Sequence, residues 1–189
     1  MKKGYMILLA ILVVIGVMVM YSVSTYNGLV TLNEDVKTSM SQIDNQLQRR
    51  NDLIPNLVET VKGYANQEKD IFLGVAEARA KLAGSKTVGE KAVADGELNG
   101  ALSRLLAIAE NYPQLKSDAN FKQLSDELAG TENRIAVARK DYNDIANVFN
   151  KKRKVFPTVI IASMIGFDDV PYFNAEEGAK EVPKVNFGN

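Results

Sequence analysis

The side chains that most often do chemistry are missing from this chain: it has no histidine and no cysteine. Disulfides, thiolate nucleophiles, Cys/His zinc sites and histidine-based triads are therefore excluded within it. What remains is a scatter of carboxylates: Glu59, Glu68, Glu110, Asp126, Glu127, Asp141 and Asp144. A di-iron bundle needs Glu-x-x-His pairs, and none exist here. An all-carboxylate calcium or magnesium site would need converging oxygens, but no calcium-loop spacing occurs. Solvated helix faces account for these residues. No Gly-rich phosphate loop is present, and no serine–lysine pair stands out from the others as a nucleophile and its base. The expectation is a protein with no catalytic site, no metal and no cofactor.

Two charged groupings are candidates for recognition. Arg49, Arg50 and Asp52 precede Pro55, and Glu132, Arg134, Arg139 and Asp141 lie in a second stretch. Arg50 falls on a position that its neighbours mark as apolar. Together these residues are either a polar recognition patch or a structural network of ion pairs that fixes helix register. The second grouping is Lys151, Lys152, Arg153 and Lys154, the densest basic run, followed by the apolar stretch VFPTVIIASMIGF (155–167). That stretch is too short to span a bilayer. With Phe156 at its head it is either a surface-lying membrane contact, drawn to anionic lipid by the lysines, or a short helix closing the end of a bundle.

The elements that must position these residues begin with residues 5–23 (YMILLAILVVIGVMVMYSV), which carry no charge. As a helix they reach about 28 Å, close to the thickness of a bilayer's hydrocarbon core. Tyr5 and Tyr21 sit near the two ends, where amphipathic rings favour the interface. A cleaved signal peptide would use a shorter apolar run, so a retained anchor is expected. Lys2 and Lys3 precede it and no basic residue follows until Lys37, which predicts a cytoplasmic N-terminus and a body outside the cytoplasm. Lys plus Arg equals Asp plus Glu at 23 each, so no global field recruits nucleic acid.

Beyond the anchor, apolar residues recur at three- and four-residue steps. One set runs Leu29, Leu32, Val36, Met40, Ile43, Leu47, Ile54, Leu57, Val61, Tyr64, Ile71, Val75, Leu82. A second is Leu98, Leu102, Leu105, Ala109. The third is Phe121, Leu124, Leu128, Thr131, Ile135, Ala138, Tyr142, Ile145, Phe149. Such spacing puts one apolar stripe on each helix, as bundle packing requires. The fold class is all-α: an N-terminal transmembrane helix, then an elongated antiparallel up-down bundle of three to four long helices, a short C-terminal apolar helix and a tail. The divisions are 1–25 (anchor), 26–156 (bundle) and 157–189 (apolar helix and acidic tail). Pro55 favours a split there, giving helices near 26–50, 54–83, 90–111 and 118–154, with Ser117 or Asp118 capping the last. Gly63, Gly74 and Gly130 fall mid-helix, where close approach of a neighbouring helix would justify them. In the tail, Tyr172, Phe173 or Phe187 can dock on the bundle.

Several blocks carry a family resemblance. QIDNQLQRRNDLIPNLVETVKGYA (42–65), ALSRLLAIAENYPQLK (101–116) and GTENRIAVARKDYND (130–144), followed by FP (156–157) and IGF (165–167), resemble the LemA family of bacterial membrane proteins, over residues 26–187. The resemblance implies a single N-terminal anchor and a bundle of long helices, and no established enzymatic activity; some relatives are associated with envelope or membrane-shaping processes. The expected role is a membrane-anchored scaffold or interaction protein of the bacterial cell envelope. Its partners would be the lipid bilayer, further copies of itself and unidentified envelope proteins. Gly16 in the anchor would favour self-association. The alternative, an envelope sensor or signalling subunit, has only residues 1–4 to offer a cytoplasmic reader.

Overall fold

The computed structural model describes residues 2–174, and the side chains of residues 2 and 3 lie outside that description. Everything described is helix and connecting turn. The helices are α1 (Lys2–Lys62), α2 (Lys69–Gly84), α3 (Val88–Ala107, extended by a 3₁₀ turn over Ile108–Glu110), α4 (Pro113–Ser117), α5 (Ala119–Lys154) and α6 (Thr158–Ile165). This is an all-α protein with a long apolar N-terminal helix, packed antiparallel helices and a short C-terminal helix.

The expected split at Pro55 does not occur; α1 runs through it and the break falls at residues 63–68. The reason is packing. Leu47, Arg50, Ile54, Leu57 and Val61 form one buried face that passes straight by the proline, while Asn51 and Pro55 sit on the half-exposed side. The lost backbone hydrogen bond is thereby placed where burial does not aggravate it. At the real break the amides of Tyr64 and Ala65 both donate to the carbonyl of Val61, at 3.0 and 2.9 Å, which tightens and closes the last turn. The third and fourth expected helices end close to where the periodicity placed them, as α3 with its 3₁₀ extension and as α5. Asp118 accepts from the Phe121 amide at 2.8 Å and caps α5, as anticipated. A cap that was not anticipated starts α3: Thr87 accepts from the Glu90 amide, and the Glu90 carboxylate accepts from the Thr87 and Lys86 amides.

Chain contacts divide into two units. The first comprises residues 1–40 and 141–170. Its core joins Leu29 and Val36 of α1 to Tyr142, Ala146 and Phe149 of α5 and to Ala162 of α6. Phe167 meets the Phe149 ring edge-on at 5.9 Å between centroids. The second unit comprises residues 41–140 and, among the described residues, 171–174. It packs Ile43, Ile54, Leu57 and Val61 with Phe72, Val75, Leu98, Leu102, Leu105, Leu128 and Ile135. In it α2 returns against α1, shown by Arg79 donating to Asn51 at 2.8 Å, and α3 reverses again, with Lys91 paired to Asp44.

The glycine expectation is corrected. A methyl group at Gly74 would meet nothing within 4 Å, one at Gly130 would touch only the head of Arg134 on its own helix, and Gly63 lies beyond the end of α1. None of the three is required by a neighbouring helix of this chain.

Candidate functional site

In the second unit Arg50 occupies a core position of α1 with its side chain 1% exposed, and the structure supplies it with acceptors from two other helices. Its two terminal nitrogens reach Asp95 of α3 and Glu132 of α5, and one of them also donates to the Asn99 side chain at 2.7 Å. Asn99 in turn donates to the other Glu132 oxygen at 3.4 Å. Asp95 is completely buried, and its second oxygen pairs with Arg139 of α5. Two guanidinium groups thus face two carboxylates, and the cluster is neutral as a whole. Burial lowers the Arg50 pKa from its ordinary value, while the Glu132 carboxylate pulls in the opposite direction. A guanidinium stays charged through this, so the cluster is a set of ion pairs rather than a proton relay. The far face of Arg139 lies 4.6 Å from the centre of the Phe173 ring, which brings the segment after residue 170 onto the network.

Of the polar residues singled out in sequence, three meet here: Arg50, Glu132 and Arg139. Arg49, Asp52, Arg134 and Asp141 are exposed; Asp52 accepts from Gln48 one turn earlier, and Arg134 donates to Thr131 on its own helix. The sequence reading missed Asp95 and Asn99. Asp95 had a signal, because it stands three residues before Leu98 on the same seam as Leu102 and Leu105. A carboxylate on a seam, like an arginine on a seam, calls for a partner on a facing helix. Among the described residues no group of three or more carboxylates is disposed to hold a metal ion.

The second grouping lies in the first unit. Lys151, Lys152 and Lys154 are exposed, whereas Arg153 is partly withdrawn. Arg153 donates to the Phe167 carbonyl at 2.9 Å and pairs with Asp169 at 2.7 Å, and Lys154 reaches the other Asp169 oxygen at 3.0 Å. These bonds hold the Asp169 carboxyl below its usual range, the Arg153 contribution being the larger. Asn150 fixes the same segment by donating to the Val170 carbonyl and accepting from its amide. Phe156 is 80% exposed. Of the aromatics expected to dock, Phe173 is buried and Tyr172 is exposed; Phe187 lies outside the described residues.

The first unit also contains the charge-free part of α1. It is long and apolar enough to cross a membrane, and none of that stretch is buried against the protein. It is consistent with a single membrane anchor.

Comparison with known proteins finds relatives along most of the chain. The family model described as "LemA family" matches residues 39–187. The chain is 30% identical to magnetosome protein MamQ 2 of Paramagnetospirillum magneticum over 186 aligned positions, covering 85% of this chain and 68% of that protein. It is equally identical, with the same coverage, to magnetosome protein MamQ of Magnetospirillum gryphiswaldense. It is 28% identical to protein LemA of Metamycoplasma hominis, over 93% of this chain and 80% of that one.

Proposed function

Because the chain belongs to the LemA family, we propose that it is a membrane-anchored helical scaffold of the bacterial cell envelope, working through contacts with copies of itself and with other envelope proteins rather than by catalysis. The observation that carries the reading is the exposure of the anchor. From Tyr5 to Val23 every large apolar side chain is at least 43% exposed, and a bilayer is the natural cover for an apolar helix of this length. The helices beyond it present isolated apolar side chains to the outside, among them Leu73, Val93 and Val137, and these are available to a second copy or a partner. The two lysines before the anchor support a cytoplasmic N-terminus with the helical body outside the cytoplasm.

The test uses the full-length chain. Calibrated light scattering in detergent is expected to give a mass above the monomer, and a clean monomer at micromolar concentration overturns self-assembly. Crosslinking in intact membranes, followed by purification, would identify the copies and partners in contact. Sidedness is read separately. The chain has no cysteine, so an Asn45→Cys variant carries a single thiol at an exposed position. Labelling by a membrane-impermeant maleimide from the extracytoplasmic side is expected; labelling only after the membrane is breached reverses the orientation.

A further inference from the structure

Helix α6 is built inside out. Its buried residues are the small ones, Thr158 and Ala162, while Ile160 and Met164 face outward together with Val155 and Phe156 just before it. Met164 is 82% exposed and Phe156 80%. A helix that only closed the end of a bundle would turn these side chains inward and leave the small ones outside.

The position of this face is fixed by two contacts within the first unit. The buried Thr158 side chain lies near the Tyr21 hydroxyl, and Tyr21 lies in the last turn of the charge-free segment. In the last turn of α5, Lys152 lies across Gly28, so close that a methyl group there would come within 2.7 Å of its Nζ. The apolar face is therefore held beside the end of the anchor from which the rest of the chain emerges, at the depth where hydrocarbon gives way to headgroups.

We propose that α6 is a second, interfacial membrane contact. Its outward face meets the leaflet where the anchor emerges, with Phe156, Ile160 and Met164 among the upper acyl chains and Lys151 and Lys152 at the phosphates of anionic lipids. The charge pattern selects this occupant. Of the four basic residues, Arg153 and Lys154 are engaged by Asp169, and Asp168 is the other acidic group of that segment, so the rim of the face remains net positive. A second copy seated on the same face would bring like charges together; an anionic leaflet complements them. The inference rests on the anchored reading above and adds the lipid class that the body of the protein recognises.

The chain contains no tryptophan, so Phe156→Trp and, separately, Val13→Trp each create a single tryptophan in the full-length protein, excited apart from the tyrosines at their red edge. Both variants are reconstituted in phosphatidylcholine bilayers with and without phosphatidylglycerol, with circular dichroism confirming unchanged helix content. The expected result is a blue-shifted Phe156→Trp emission that loses most of its intensity to lipids brominated on the upper acyl chain and is protected from aqueous acrylamide. Both effects should strengthen with phosphatidylglycerol, and that dependence should weaken when Lys151 and Lys152 are changed to Gln. Val13→Trp reports the anchor. If it is quenched by bromolipid while Phe156→Trp emits as in water, the anchor reading stands and the interfacial contact is overturned. If Phe156→Trp is shielded from both quenchers and becomes acrylamide-accessible on dilution with lipid, a second copy covers the face and the proposal also fails. A Val13→Trp emitter that bromolipid does not reach removes the anchored reading and this inference with it.

Discussion

Arg50 of α1 and Asp95 of α3 are joined by an ion pair from which water is almost entirely absent, with side chains 1% and 0% exposed. Neither charge sits there cheaply, since removing an ion from water costs several kcal/mol before any attraction is regained. The cost is offset because the cluster is neutral and because each member has more than one partner: Arg50 also reaches Glu132 and Asn99, and Asp95 also reaches Arg139. Such a cluster adds little net stability over a well-packed apolar core. What it is expected to add is register, because a helix shifted by one turn would bury these charges without partners.

It follows that breaking the pair should cost far more than replacing it. Asp95→Ala is expected to destabilise the chain by about 3–5 kcal/mol, since Arg50 remains buried with one acceptor fewer. Arg50→Met should be comparably harmful. Combining Arg50→Met with Asp95→Ala should cost clearly less than the two single changes added together. Urea unfolding of detergent-solubilised protein, followed by circular dichroism, measures the cycle. Additivity of the single effects would show that the two residues do not act as a pair.

The network also shows what was legible in the sequence and what was not. Periodicity located the seams, and residues from Leu29 to Val61 and from Phe121 to Phe149 are buried largely where the three- and four-residue steps placed them. Arg50 stood out because it interrupted a long seam. Asp95 was passed over because the periodic set read along α3 is short and starts only at Leu98, just after it. Local rules also misjudged Pro55: the penalty of a proline is local, whereas the face formed by Arg50, Ile54 and Leu57 is stabilised by helices distant in sequence. The outward turn of Phe156 and Met164 was beyond composition alone, which marks residues 155–167 as apolar but does not say which side faces the protein.

The capping box at the start of α3 predicts an acid-sensitive contribution. Hydrogen bonds from the Lys86 and Thr87 amides, the Lys86 bond being the stronger influence, hold the Glu90 carboxyl below its usual range. A carboxyl whose folded pKa is depressed stabilises the fold above its unfolded pKa, and that contribution disappears as pH falls through the folded value. For Glu90 the window lies below about pH 5. Glu90→Gln should therefore be less stable than the parent at neutral pH, and the difference should shrink on acidification. Thermal unfolding of both proteins across that range is the measurement, and a pH-independent gap would contradict the linkage.

Gly74 should be replaceable with profit. It lies inside α2, where glycine carries a backbone-entropy cost, and a methyl group there meets no atom within 4 Å. Gly74→Ala is expected to raise stability by about 0.5–1 kcal/mol in the isolated chain. If instead it lowers the assembly's mass in light scattering while leaving unfolding unchanged, the open side of Gly74 is a contact between copies.

Phe173 tests whether the segment after residue 170 belongs to the folded body. It is 5% exposed, its ring lies against Arg139, and Arg139 holds the second oxygen of Asp95. Removing the ring takes away buried apolar area and the cover over a partly buried guanidinium together. Phe173→Ala is expected to cost about 3 kcal/mol, the lower end for a large-to-small core change. Phe173→Leu keeps most of the apolar volume but loses the aromatic face, so the difference between the two variants isolates the contact with Arg139, expected at about 0.5–1 kcal/mol. The contact should also be coupled to the buried pair: in an Asp95→Ala background, where Arg139 has lost its carboxylate, the same two substitutions should no longer differ by that amount. An unchanged difference would mean that Phe173 packs on the bundle independently of the Arg50–Asp95 network.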